Sequence, residues 1–308
     1  MPLTARAAAV YPRIKGPVVP INLCFNEDGT LNHGAIAAYI DFLCQDPSPI
    51  LLLTAGSSEY ASLSAEEIWE VTATVGKAND GRSLFITSTG FWKPTQTRDF
   101  LKHADAVGAD AVKVQINTGL PMTPEVLNRY YDQIEDASDI PLLLWTLTTP
   151  RFPNEVAIEL AQRSNIVGMK NDGDPFGDYY DLSRATRDAG FAVISGGQMR
   201  NFAFGYPLGS TAYLCPIAPF RPDIAFEFYN YLVAGDPDAA WQAVFRYEEP
   251  FLQWAIKQNW LGVMKSTIQL QGLYPNNLLG PPNPPTDPDL LDRVKAKLEE
   301  LFGASSTR

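Results

Sequence analysis

At 308 residues, 45% of them hydrophobic and only 19% charged, the chain has apolar material for a large core, which excludes a disordered or fibrous protein. A formal net charge of −11 repels phosphate backbones and anionic headgroups, so neither nucleic acid nor a membrane surface is an expected partner, and the charge serves solubility. Cys24, Cys44 and Cys215 are widely spaced without a C-x-x-C pair, and His33 and His103 are the only histidines, so neither a disulfide framework nor a metal centre is expected. Met1 to Gly16 carries no apolar run of signal-peptide length, and no segment approaches the roughly 20 apolar residues of a membrane span. The expected location is the cytoplasm.

Short β-rich runs recur along the chain, each closed by a Gly, Asn, Thr or Pro turn and followed by a helical stretch. They are Val18 to Phe25, Ile50 to Gly56, Leu84 to Gly90, Ala111 to Asn117, Pro141 to Leu147, Ile166 to Asn171, Ala192 to Gly197 and Ala212 to Ile217. Their near-continuous apolarity suits parallel strands covered by helices on the outside. Ser64 followed by Glu67 reads as a helix N-cap with its capping-box partner, and Thr123-Pro124 opens a helix with Pro in the first turn. Eight such units predict a (β/α)8 TIM barrel. A doubly wound sheet is the weaker choice because no G-x-G-x-x-G follows the first strand. Helical periodicity then returns over Pro222 to Ala234, Pro237 to Asn259 and Leu261 to Leu273. Gly280-Pro-Pro-Asn-Pro-Pro-Thr-Asp-Pro forms an extended linker, and Leu290 to Phe302 a last helix. The expected division is a barrel over residues 1–235 and a C-terminal helical extension over 236–308.

Active sites of such barrels lie at the C-terminal ends of the strands. Read there, Lys170 is the sharpest candidate: a lone cation ending an apolar strand. An amine in a desolvated pocket is partly neutral near pH 7 and condenses with a ketone to an iminium, which acidifies the adjacent carbon. The plainer alternative is a lysine at the barrel mouth paired with Asp172 or Asp174. On strand four, Val112, Val114 and Ile116 alternate with Lys113, Gln115 and Asn117, and the polar set is expected to face inward. An inward Lys113 either depresses the Lys170 pKa, acts itself as the nucleophile, or sits at the barrel floor beside a carboxylate.

Five segments in order resemble the dihydrodipicolinate synthase and N-acetylneuraminate lyase superfamily. They are Pro17-Val-Val-Pro-Ile-Asn with Asn26-Glu-Asp-Gly, Gly56-Ser-Ser-Glu-Tyr-Ala-Ser-Leu-Ser, Val167-Gly-Met-Lys170, Ser195-Gly-Gly, and Met264-Lys-Ser-Thr-Ile with the Pro-rich tail. The resemblance implies a 2-oxo acid such as pyruvate, or a sugar-derived keto acid, bound as an imine to Lys170 and then cleaved by an aldol or dehydration step. It implies a homotetramer or dimer, and no metal or organic cofactor. Carried over by position, Gly56, Ser57 and Ser58 would bind the substrate carboxylate, Gly196 would leave room beside the imine carbon, and Glu59 would be structural. Arg151, one position beyond the family's carboxylate-binding arginine, would be a second clamp.

Two departures stand out. The family's strand-five tyrosine falls at Trp145, and the tyrosine pair after strand four falls at Thr118-Gly119. Indole has no acidic proton near neutrality, so Trp145 is expected to wall the substrate pocket and not to relay protons. The hydroxyls of Ser57, Ser58, Tyr60, Thr146 and Thr148 are the candidate replacements. The leading expectation is a class I lyase, aldolase or dehydratase, using Lys170, and not a true dihydrodipicolinate synthase. The alternatives are a lyase using Lys113, and a degenerate barrel that binds an oxo acid or sugar acid as a sensor or scaffold.

Overall fold

In the computed structural model, which describes residues 2–45, 47–173 and 177–303, eight parallel strands hydrogen-bond in sequence order and close on themselves. They are β1 (Gly16–Pro20), β2 (Ile50–Leu52), β3 (Phe85–Ser88), β4 (Ala111–Lys113), β5 (Leu142–Thr146), β6 (Ile166–Asn171), β7 (Ala192–Ser195) and β8 (Ala212–Leu214). The fold is thus a TIM barrel, as the alternation of strand and helix predicts. Most strands stop earlier at their C-terminal ends than the apolar runs suggest. Side-chain oxygens take over from the ladder there: Ser58 Oγ accepts from Thr54 N at 3.1 Å, and Thr89 Oγ1 from Gln115 N at 2.8 Å. The helix Ala65–Asn79 opens with the expected Ser64–Glu67 capping box, and Pro124–Asp132 opens on the Thr123 cap.

Two apolar layers follow from the strand period. Val112, Val114 and Ile116 face outward into the core shared with the helices, whereas Ala111 joins an inner cluster with Val18, Leu52, Ile86, Leu143 and Val167. Lys113, two residues after Ala111, therefore points inward, as expected. Lys170 reaches the interior by a different device. Between Leu142 and Leu143 the register advances one residue on β5 and two on β6, leaving Val167 without its own partner. This bulge inverts the alternation, so that Met169 packs outward and Lys170 stands in register with Trp145 on the inner face. Gly168 permits it: a Cβ there would lie 2.4 Å from the Ala192 carbonyl oxygen of β7.

The sequence reading assigns no structure to the N-terminal segment, but a helix (Ala5–Val10) closes the barrel floor. Ala7, Val10 and Ile14 pack into the inner cluster from below. Thr4 N donates to Ser164 O at 2.8 Å and Arg13 pairs with Asp110 at 2.8 Å, tying it to the chain entering β6 and β4. No helix among the described residues is long and apolar enough to cross a membrane.

Beyond the helix Pro222–Val233, Gly235 (φ 77°) turns the chain into Pro237–Ala243, Glu249–Ala255, Trp260–Leu270 and, after the Pro-rich segment, Leu290–Phe302. The stretch Pro237 to Asn259, expected as one helix, is interrupted by a π turn over Val244–Glu248. Pro250 explains the break, since it has no N–H for the regular ladder and its ring crowds the preceding turn. Of the extension's aromatics, Phe251 is buried in the core, while Phe245 is exposed and stacks on Trp241.

The π turn places the buried Glu248 carboxylate on Met199 N and, at 3.0 Å, Arg200 N, capping the helix Met199–Gly205 from the extension. Burial outweighs these hydrogen bonds and pushes its pKa from 4.5 to about 7. Because the folded value lies above the unfolded one, this carboxyl destabilises the fold progressively as pH rises from 4.5 through 7, by about 3 kcal/mol in full. Glu248→Gln, which keeps a neutral acceptor, is expected to raise the melting temperature at pH 8 and leave it nearly unchanged at pH 4.5. An equal shift at both pH values would contradict this assignment.

Candidate active site

At the C-terminal mouth of the barrel, β6 ends in Lys170 and the chain continues extended, with Asp172 N donating to Thr146 O at 3.1 Å. The two-residue spacing puts Lys170 and Asp172 on the same face. Lys170 is 5% exposed, and its Nζ donates to Asp172 Oδ2. The same oxygen accepts the indole N–H of Trp145 at 2.8 Å. Lys170 is thus paired with Asp172, as the plainer sequence reading allows; Asp174, the other carboxylate that reading names, lies outside the described residues.

Lys113 lies one layer deeper. Register aligns it with Leu143 and, through Leu143, with Gly168, two residues closer to the floor than Lys170. Its Nζ sits 4.4 Å from the Trp145 ring centre and donates to Gln115 Oε1 at 3.1 Å. Burial drives the Lys113 amine well below the usual lysine range, and the neighbouring Lys170 charge adds to this against an opposite pull from Asp172. Burial alone would raise the Asp172 carboxyl. The Lys170 charge and hydrogen bond, the Trp145 N–H and the Lys113 charge together hold it below its ordinary value, so it stands as a carboxylate at neutral pH. Trp145 is therefore both floor and clamp: one face covers Lys113, and its edge holds Asp172. Beside it, Ile116, Thr118, Met122, Leu147, Pro150 and Phe152 line a narrow, largely apolar crevice.

The remaining expected site residues divide. Gly56 is exposed and Ser57 partly so on the loop after β2, and Asn22 Nδ2 donates to Ser57 O at 3.3 Å. Ser58 is buried, and both of its donors are used inside the protein: Oγ to Ile21 O at 2.6 Å and N to Thr54 O at 3.0 Å. Tyr60 is buried and its hydroxyl donates to Ser88 O at 3.2 Å. Thr146 Oγ1 donates to Leu147 O and accepts from Phe152 N at 2.9 Å. These three hydroxyls bind backbone and not the lysine cluster, which corrects the expectation that they replace a phenol. Arg151 is exposed on the loop after β5. Glu59, held at φ 49°, is buried and ion-paired with Lys265, and accepts from Gly280 N at 2.9 Å. Its surroundings are those of a strut joining barrel to extension.

Gly196 follows β7 where a Cβ would lie 2.0 Å from Asp172 Oδ1 and 2.6 Å from Asn171 O. The space above it is the space the Asp172 carboxylate occupies. Gly196→Ala is expected to displace Asp172 from Lys170 and Trp145 and to press on the Asn171–Asp172 backbone, lowering turnover at least tenfold with a measurable loss of stability. Unchanged turnover would show that this placement is unimportant. Sequence reasoning missed Asp172 as a site residue and the sharing of one oxygen by Lys170 and Trp145. The Lys-x-Asp spacing was visible, but the contact to Trp145 spans 27 residues. Among the described residues no group of three or more His, Cys, Asp or Glu is arranged to hold a metal ion.

Comparison with known proteins agrees with the fold and identifies the family. A relative described as an uncharacterized DapA-like lyase from Thermococcus onnurineus is 23% identical over 94% of this chain and 100% of its own length. A probable 5-dehydro-4-deoxyglucarate dehydratase from Xanthobacter autotrophicus is 27% identical over 91% and 92%. Among solved structures, YagE of E. coli K12, a prophage protein of the dihydrodipicolinic acid synthase family crystallised with pyruvate, superposes with a TM-score of 0.84 at 24% identity, covering 93% of this chain and 98% of YagE. N-acetylneuraminate lyase from Mycoplasma synoviae gives a TM-score of 0.84 at 20% identity, covering 95% and 99%. The dihydrodipicolinate synthetase family is matched over residues 13–301, and the chain belongs to that family.

Proposed function

We propose that this protein is a Schiff-base lyase, dehydratase or aldolase, that acts on a 2-oxo acid through Lys170. The observation that carries the reading is the Lys170 amine at the inner mouth of the barrel, almost fully buried and hydrogen-bonded to the Asp172 carboxylate. A primary amine at the strand end of the barrel mouth is the group that can add to a ketone carbon and form an imine. Lys113 is the poorer nucleophile because its Nζ is enclosed beneath Trp145 and Gln115, where a ketone carbon has no approach without moving the indole. Its place suits tuning of the pair above it. The partly exposed Gly56 and Ser57 are the proposed site for the substrate carboxylate, and Arg151 for a second acidic group.

Relatives support the substrate class: the YagE complex contains pyruvate, and the Xanthobacter relative is described as a dehydratase of a sugar-derived keto acid. An indole at position 145 and Thr118-Gly119 after β4 leave no phenol at either place, which speaks against dihydrodipicolinate synthesis itself. A panel of 4-hydroxy-2-oxo acids, followed by mass spectrometry, tests the proposal. Loss of water marks a dehydratase, and release of pyruvate with an aldehyde marks an aldolase. Thermal stabilisation by these acids without any product after prolonged incubation would replace the lyase with a non-catalytic binding barrel.

A further inference from the structure

We infer that Asp172 is the acid–base catalyst of this site, moving the proton at substrate C3 once Lys170 has formed its imine; the inference rests on the Schiff-base reading above. The hydroxyls of Ser58, Tyr60 and Thr146 are committed to backbone groups, and Trp145 offers an N–H that donates and cannot titrate. Among the described residues, Asp172 is the carboxylate whose oxygen meets Lys170 Nζ. It is also held in place from three sides: by Lys170 and Trp145 on Oδ2, by its own N–H on Thr146 O, and by the bare Cα of Gly196 beside Oδ1. A group that touches the nitrogen of the future imine lies within reach of the carbon one bond beyond the imine carbon.

The proton inventory closes around this one carboxylate. The Lys170 ammonium gives a proton to Asp172, and the freed amine adds to the C2 ketone while its surplus proton passes to the former carbonyl oxygen. Asp172 then returns its proton to that hydroxyl as the C2–O bond breaks, so that iminium, carboxylate and one water result. The carboxylate next removes a proton from C3, and the C–H electron pair forms the C2=C3 bond as the iminium is neutralised to an enamine. In a dehydration, the enamine expels the C4 hydroxyl, Asp172 supplies the proton that makes it water, and the conjugated iminium and the carboxylate are regenerated. No oxidant, reductant or metal enters the balance.

The test uses pyruvate as probe and two readouts: borohydride trapping on Lys170, and exchange of the pyruvate methyl protons in D2O, followed by NMR. In Asp172→Asn and Asp172→Ala the imine should form more slowly, but after prolonged incubation before reduction the yield of trapped adduct is expected within about tenfold of the parent, which also shows that the site is folded. Exchange per trapped enzyme should fall on the order of 10²–10⁴-fold. Formate should restore part of the exchange in Asp172→Ala, where it can occupy the vacated space, and not in Asp172→Asn. Exchange within tenfold of the parent in both variants would overturn the assignment. So would loss of trapping in step with exchange, since Asp172 would then serve imine formation alone. A parent protein that neither traps nor exchanges would instead refute the Schiff-base reading and, with it, this role.

Discussion

Lys170→Ala and Lys170→Arg are expected to reduce lyase turnover on the order of 10⁶-fold and to abolish borohydride-trapped adducts, while the protein remains folded. The two substitutions fail for different reasons. Alanine removes the nucleophile. Arginine keeps a cation beside Asp172 but remains protonated and cannot add to a ketone. Because Lys170 Nζ sits beside Asp172 at the barrel mouth and not within the apolar floor, neither change opens a large void in the inner cluster. Circular dichroism should therefore show a folded barrel in both, with a lower melting temperature in Lys170→Ala, where Asp172 loses its ion-pair partner. Turnover within tenfold of the parent in Lys170→Arg would rule out the imine mechanism.

Lys265→Met should destabilise the fold by about 3–5 kcal/mol, the usual cost of leaving a buried charge without its partner. Lys265 and Glu59 are each 1% exposed at the side chain and ion-paired with one another. Lys265 also donates to Leu278 O at 2.7 Å and lies 4.4 Å from the Phe25 ring centre. Desolvation draws the Lys265 pKa down, and the Glu59 charge resists that shift. The pair clamps the loop after β2, on which Gly56 and Ser57 stand, against the extension at Gly280. Urea denaturation measures the cost. The double variant Glu59→Gln/Lys265→Met should recover part of it, because the stranded carboxylate is gone. A single-variant loss below about 1 kcal/mol would show that water or another cation reaches Glu59.

Much of this architecture was legible in the chain because its elements obey local rules. The Ser64–Glu67 box and Thr123-Pro124 fix two helix starts, and the polar alternation on β4 correctly turned Lys113 inward. Lys170 was legible as a lone cation on an apolar strand. Its inward aim was not, because Ile166-Val-Gly-Met is apolar throughout, and alternation counted from Val167 would have pointed the lysine outward. The β6 bulge shows only in the strand pairing, and the need for Gly168 comes from the Ala192 carbonyl on the neighbouring strand, which leaves no room for a Cβ, so no local pattern records either. The hydroxyl candidates failed for a related reason. Ser58, Tyr60 and Thr146 meet backbone partners brought close by barrel closure, such as Ile21 O and Ser88 O. The floor helix at Ala5–Val10 is six residues long and gains its burial from strands far along the chain.

The central claim, that an imine forms on Lys170, is tested most directly by reducing the protein with borohydride in the presence of pyruvate and other 2-oxo acids and mapping the modified peptide. The geometry predicts a reduced adduct on Lys170 and none on Lys113. An adduct on Lys113, or none with any acid on a folded protein, would contradict it.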